Sequence, residues 1–136
     1  MAVVEELLRA EENGTISFGN HELTEKAKVD AFPFQGNTYK LKTSHTMTKL
    51  EKNGLFVYES VPGTSVKNFK ESESGITCEV EGNEDAQLIL GLAENTTYEI
   101  LIDQVSCGRV DTHIGGKLNA AMNLAGRGLV SLEVRK

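Results

Sequence analysis

The sequence predicts an all-β fold: a compact antiparallel β-sandwich of jelly-roll or immunoglobulin-like arrangement. Three observations predict it. Apolar and polar residues alternate in short runs, as in Thr97-Tyr98-Glu99-Ile100-Leu101-Ile102, Ile76-Thr77-Cys78-Glu79-Val80-Glu81 and Leu129-Val130-Ser131-Leu132-Glu133-Val134. A period of two sends every second side chain to the same face of a pleated strand. The runs are separated at short intervals by Gly, Asn and Pro turn signals, the spacing of a sandwich or barrel. The chain of 136 residues fits one domain, 1–136, long enough to bury a core without a disulfide or metal.

The first segment admits two patterns. Val3, Val4, Leu7 and Leu8 fit a short amphipathic helix, but Asn13-Gly14 is a strong hairpin signal between Leu8–Glu12 and Thr15–Phe18. The hairpin is the expectation. Ala27 to Phe32 alternates and is expected to stop at Pro33, and Gln35-Gly36-Asn37 turns into Thr38–Lys42. Asn53-Gly54, between Met47–Glu51 and Leu55–Glu59, is the best hairpin in the chain. Pro62-Gly63 is a turn dipeptide before a strand from Thr64 to Phe69. Gly75 precedes Ile76–Glu81, and Gly82-Asn83-Glu84-Asp85 is a polar turn. Ala86 to Leu92 carries apolar residues on both parities, as a strand buried on both faces does. Strands at Thr97–Asp103 and Val105–Val110 follow, then a Gly115-Gly116 turn, Lys117–Leu124, and a last turn at Ala125–Gly128. The order of elements after Tyr39 resembles that after Tyr98, about sixty residues on, which fits two similar halves and equally fits the self-likeness of any all-β chain.

The totals bound function by exclusion. A net charge of −6, spread along the chain, repels nucleic-acid backbones and anionic membranes, so neither is expected as a partner. Met1–Glu6 lacks the basic and apolar regions of a signal peptide, and no apolar run approaches the ~20 residues of a membrane helix. A cytoplasmic protein is expected, in which the glycosylation patterns Asn13-Gly14-Thr15 and Asn95-Thr96-Thr97 are chance matches. Cys78 and Cys107 are too few for a disulfide framework. Each sits on a strand-like run and is expected to be a small buried hydrophobe.

No cofactor is expected, because no pattern carries the chemistry for one. His21, His45 and His113 lie far apart, and a zinc site at Cys107 and His113 would need Cys78 and His45 brought in from a distance. There is no Gly-x-Ser-x-Gly elbow, and Gly115-Gly116-Lys117 lacks the rest of a phosphate loop. Glu79 and Glu81 share the strand face opposite Cys78 and Val80, which fits a solvated face better than a glycosidase pair. Asn83, Glu84 and Asp85 supply too few oxygens for Ca²⁺. With no Trp, the only rings with a polar handle are Tyr39, Tyr58 and Tyr98. They are the candidate ligand-binding residues if a face of the sheet stacks on sugar.

Gly14-Thr15-Ile16-Ser17-Phe18-Gly19-Asn20 and the stretch from Lys49 to Gly63 resemble a family of short bacterial proteins often labelled "endosialidase". The likeness continues through Val80–Gln87 and Gly115–Leu118 and covers nearly the whole chain. The label implies a sialidase-type glycan hydrolase. Such enzymes clamp the substrate carboxylate with clustered arginines on a propeller of at least four blades. The arginines here are Arg9, Arg109, Arg127 and Arg135, and no catalytic residue of that kind carries over to a position in this chain.

The expected function is therefore non-catalytic: a small β-sandwich acting by binding or self-association, as a homo-oligomer. Leu55–Tyr58 and Leu88–Leu92 are the apolar runs expected to contribute to an interface. A carbohydrate-binding module, with a glycan or protein ligand, is the alternative, and a sialidase-type hydrolase is the third possibility.

Overall fold

The computed structural model describes residues 3–136; Met1 and Ala2, and the part of the leader expectation that falls on them, lie outside the described residues. Thirteen strands form two antiparallel sheets packed face to face, and the described residues contain no helix. The strands are β1 (Leu8–Ala10), β2 (Ile16–Phe18), β3 (Ala27–Phe34), β4 (Asn37–Thr43), β5 (Thr48–Lys52), β6 (Leu55–Val61) and β7 (Ser65–Ser72). They continue as β8 (Gly75–Glu81), β9 (Ala86–Gly91), β10 (Thr97–Ile102), β11 (Val105–Asp111), β12 (Lys117–Met122) and β13 (Val130–Arg135). The seven-stranded sheet runs β1-β2-β7-β8-β13-β10-β11 and the six-stranded sheet β12-β9-β6-β5-β4-β3.

The alternation read from the sequence decides which face is inside. Ile76, Cys78 and Val80 of β8 are buried, as are Val130, Leu132 and Val134 of β13 and Leu118, Ala120 and Met122 of β12. Together with Leu41, Leu50, Leu88 and Leu90 from the six-stranded sheet they fill the space between the layers. Glu79 and Glu81 lie on the opposite, half-exposed face of β8, as expected. Phe18, Tyr58 and Phe69 meet edge-on in this core, with ring centroids 5.2 to 6.2 Å apart, the offset that aromatic quadrupoles favour.

The turns follow local chemistry. Asn53 (φ 53°) and Gly54 (φ 79°) close the β5–β6 hairpin in two residues, with Lys52 opposite Leu55. Both turn residues have the left-handed φ that matches the twist of the strands. The β1–β2 hairpin forms about Asn13-Gly14, but with a longer loop between Ala10 and Ile16. Asp103 (φ 50°) and Gln104 (φ 66°) make the same kind of two-residue turn between β10 and β11 without a glycine.

Three expectations need correction. β3 does not stop at Pro33 but runs on to Phe34; it is the edge of its sheet, where a residue without an N–H is tolerated. β9 is not buried on both faces: Ala86, Leu88 and Leu90 point inward, whereas Gln87 is exposed and Ile89 half-buried. The two supposed halves differ in topology, since β4, β5 and β6 form a meander in one sheet while β10, β11 and β12 are split between the two.

The order of strands in the seven-stranded sheet is non-local. β8 and β10 are not neighbours; β13, the last strand, lies between them, with Val134 opposite both Ile76 and Ile100. The β10–β11 ribbon thus joins the rest of its sheet only through β13.

Candidate functional site

The β10–β11 ribbon is the region of the molecule left incomplete by its own fold. β10 sits over the core with Tyr98 and Ile100 buried, but every residue of β11 is exposed. Val110 lies opposite Tyr98 and Val105 opposite Ile102, so both valines are on the core-side face of the sheet. They are nonetheless 37% and 66% exposed in the described structure. The strand is unsupported on its second edge too, since among the described strands it pairs only with β10.

Both ends of this strand are fastened. At the turn, Asp103 accepts a hydrogen bond from the Ser131 N–H (3.1 Å) and pairs with the Arg127 guanidinium. At the other end Thr112 is buried, its N–H donating to the Thr96 carbonyl (2.9 Å) and its hydroxyl to the Ala93 carbonyl. The outer face carries charge: Glu99 faces Arg109 across the ribbon and accepts hydrogen bonds from Arg135. Its carboxyl lies below the usual carboxylate range, chiefly through a hydrogen bond from Ser106, with Arg135 adding to the effect.

The ribbon also corrects the expectation for Cys107. Cys78 is buried, and burial pushes its thiol up to about 12; Cys107 is exposed on β11. β13 and β10 separate the strands that carry them, an offset of roughly 14 Å at the usual strand spacing, too far for a disulfide. A strand pattern predicts a face, and here the face has no covering layer.

The tyrosines do not form a stacking platform. Tyr39, Tyr58 and Tyr98 are 5%, 0% and 2% exposed, all turned into the sandwich. Tyr58 and Val57 are buried in succession because a bulge in β6 lets both face inward. The Tyr58 hydroxyl meets Thr64 Oγ1 at 2.6 Å, and burial holds its pKa far above the usual phenol range. The Tyr98 hydroxyl accepts from the Ala93 N–H (3.1 Å). Each polar tip for which a partner is seen is used inside the protein. The apolar runs expected at an interface fare similarly: β6 and β9 are inner strands, and Val57, Tyr58, Leu88 and Leu90 belong to the core. Leu55 alone of these is widely exposed.

Tyr39 does reach a second feature, a cleft of about 370 Å³ between the sheets at the end carrying the β1–β2 and β3–β4 turns. Asn13, Asn37, Lys52 and Glu71 line it with polar groups, and Phe34 meets Tyr39 edge-on at 6.1 Å. Lys52 and Glu71, both lining the cleft, form an ion pair across the two sheets (3.1 Å). Burial, and then the Glu71 charge, raise the Tyr39 phenol above its ordinary pKa.

Among the described residues no three His, Cys, Asp or Glu side chains converge as metal ligands. Asp85, one of the acids weighed for Ca²⁺, instead accepts hydrogen bonds from the N–H groups of Leu124 and Ala125 (2.9 and 3.2 Å). Among the described residues no helix is long and apolar enough to cross a membrane. No protein-family model, curated protein or solved structure matches the chain.

Proposed function

We propose that this domain is non-catalytic and acts by self-association, with the β10–β11 ribbon as its contact. One observation carries the reading: a seven-residue strand, fastened at both ends, has both faces and one edge in solvent. An open edge is a template for another strand. Symmetric pairing of two copies is one way to satisfy such an edge. The acidic balance favours neither nucleic acid nor a membrane as the partner. The free thiols Cys78 and Cys107 suit a reducing compartment such as the cytoplasm.

Light scattering after size exclusion, across a tenfold dilution, tests this. The expected mass is a multiple of 14.8 kDa that falls on dilution; a monomer throughout overturns the proposal. The second reading is binding of a glycan or a protein ligand, supported by the polar cleft beside Tyr39. It predicts a change in tyrosine fluorescence on titration with oligosaccharides, and a flat response across a glycan panel removes it.

A further inference from the structure

The backbone of β11 specifies how a second copy would meet it. The Thr112 N–H donates to Thr96 O, and Thr97 lies opposite Asp111, Tyr98 opposite Val110 and Glu99 opposite Arg109. Backbone groups of an antiparallel strand point alternately to its two sides. Thr112 and Val110 therefore turn their N–H and C=O groups toward β10, while Asp111 and Arg109 turn theirs to the open edge. A two-fold pairing of β11 with itself must set these outward residues against each other. Three registers do so. An axis at Arg109 brings two guanidinium groups face to face, and an axis at Asp111 two carboxylates; like charges directly opposite are destabilising. An axis at Val110 instead sets each Arg109 opposite the partner's Asp111, twice, by symmetry. Among the described residues neither side chain is in an ion pair within 4.0 Å; Asp111 Oδ1 accepts a hydrogen bond from the Thr97 hydroxyl (2.5 Å) and Arg109 faces Glu99 across the ribbon, contacts that leave both side chains without a salt bridge. The same axis puts Val110 against the partner's Val110 at a non-hydrogen-bonded position, where side chains approach most closely. It also places these valines together on the uncovered core-side face.

Resting on the self-association proposed above, we infer that β11 pairs antiparallel with β11 of a second copy about a two-fold axis at Val110. The pairing joins the two seven-stranded sheets into one, with Arg109 and the partner's Asp111 as reciprocal charge partners. The occupant is a second copy because the edge is complementary to itself in this register alone of the three.

Charge exchange tests the register. Arg109→Asp and Asp111→Arg should each weaken the dimer by roughly tenfold or more, since each sets like charges opposite one another twice. An equimolar mixture of the two variants should recover the wild-type mass, and so should the double variant carrying both changes. An unchanged far-ultraviolet circular dichroism spectrum and a cooperative thermal transition show that the variants fold, with a midpoint lowered only as far as the lost dimer stabilised the fold. In the wild type, exchange of the Arg109 and Asp111 amide hydrogens should slow as concentration rises. A monomeric wild type overturns both this inference and the function beneath it. A dimer indifferent to either substitution, or one broken by both but not restored by mixing, overturns the register alone.

Discussion

Two strand connections in this sandwich are opposites. At the corner between β6 and β7 the chain crosses from one sheet to the other through Val61-Pro62-Gly63-Thr64, and polar groups there are wholly internal. Thr64 Oγ1 meets Tyr58 (2.6 Å) and Ser60 (2.7 Å), and Thr48 Oγ1 donates to the Thr64 carbonyl (2.8 Å) while bonding Thr43 (2.9 Å). Ser65 meets His21 Nδ1 at 2.7 Å, tying in the crossing from β2 to β3. Ser60, Thr48, Thr64 and Ser65 are buried, and each has its hydrogen-bond partner. The β10–β11 turn, by contrast, leads into a strand with no cover. One region spends its backbone and hydroxyl groups on the protein itself, and the other leaves them for something outside. A buried polar group without a partner costs far more than an exposed one, so the first region tolerates little change and the second much.

The same substitution on the same sheet face breaks this comparison most sharply. Ile100 and Val105 both lie on the core side of the β10–β11 ribbon, one buried and one open. Ile100→Asp buries an unpaired charge and should cost about 3–5 kcal/mol, enough to abolish the unfolding transition. Val105→Asp should change stability by no more than about 0.5 kcal/mol in urea denaturation. Equal effects would mean that β11 is covered within the monomer.

At the corner, Gly63→Ala is next in size. A Cβ there would stand 1.8 Å from the Ser44 carbonyl oxygen, a backbone atom that cannot turn aside. The loss should reach about 3 kcal/mol, beyond ordinary overpacking, and show as a lower denaturation midpoint. Gly108→Ala, on β11, meets no atom within 4 Å but sits at φ +104°, so its cost is one of backbone conformation alone and should be smaller.

Thr64→Val sharpens the account of the hydroxyl network. It leaves Tyr58 and Ser60 without their shared partner and should cost about 1–3 kcal/mol; a neutral result would mean that the network contributes shape and not energy.

The last effect is one of pH. Cys78 has its folded pKa raised to about 12 from the ordinary thiol value of 9.0, because burial disfavours the thiolate. Its contribution is present below the unfolded value and is lost as pH rises from there toward about 12. Stability should therefore fall above pH 9, and less steeply in Cys78→Ala.

Much of the fold was legible in the residues themselves. The alternation in β8, β12 and β13 named their buried faces, and Asn13-Gly14 and Asn53-Gly54 named two hairpins. Legibility failed where a residue's fate hung on a neighbour distant in sequence. Pro33 reads as a stop, yet an edge strand accommodates it. Cys107 sits in a strand-like run with nothing packed over it. Tyr39, Tyr58 and Tyr98 read more readily as core than as a sugar platform, but a period of two gives parity and not which parity is wet. The candidate site was less legible still: Arg109 and Asp111 are unremarkable in the sequence, and only their place on an open edge makes them a pair.

The sequence by itself determined the all-β class, the inward face of most strands and the tightest turns, since each depends on a period or on the φ of one or two residues. Only the tertiary structure decided which strand would be left over. β13 inserts between β8 and β10, and β11 is left at the edge of the seven-stranded sheet. That outcome rests on pairings between segments far apart in the chain, which no local pattern encodes, and it turns an ordinary alternating strand into the exposed edge of the molecule.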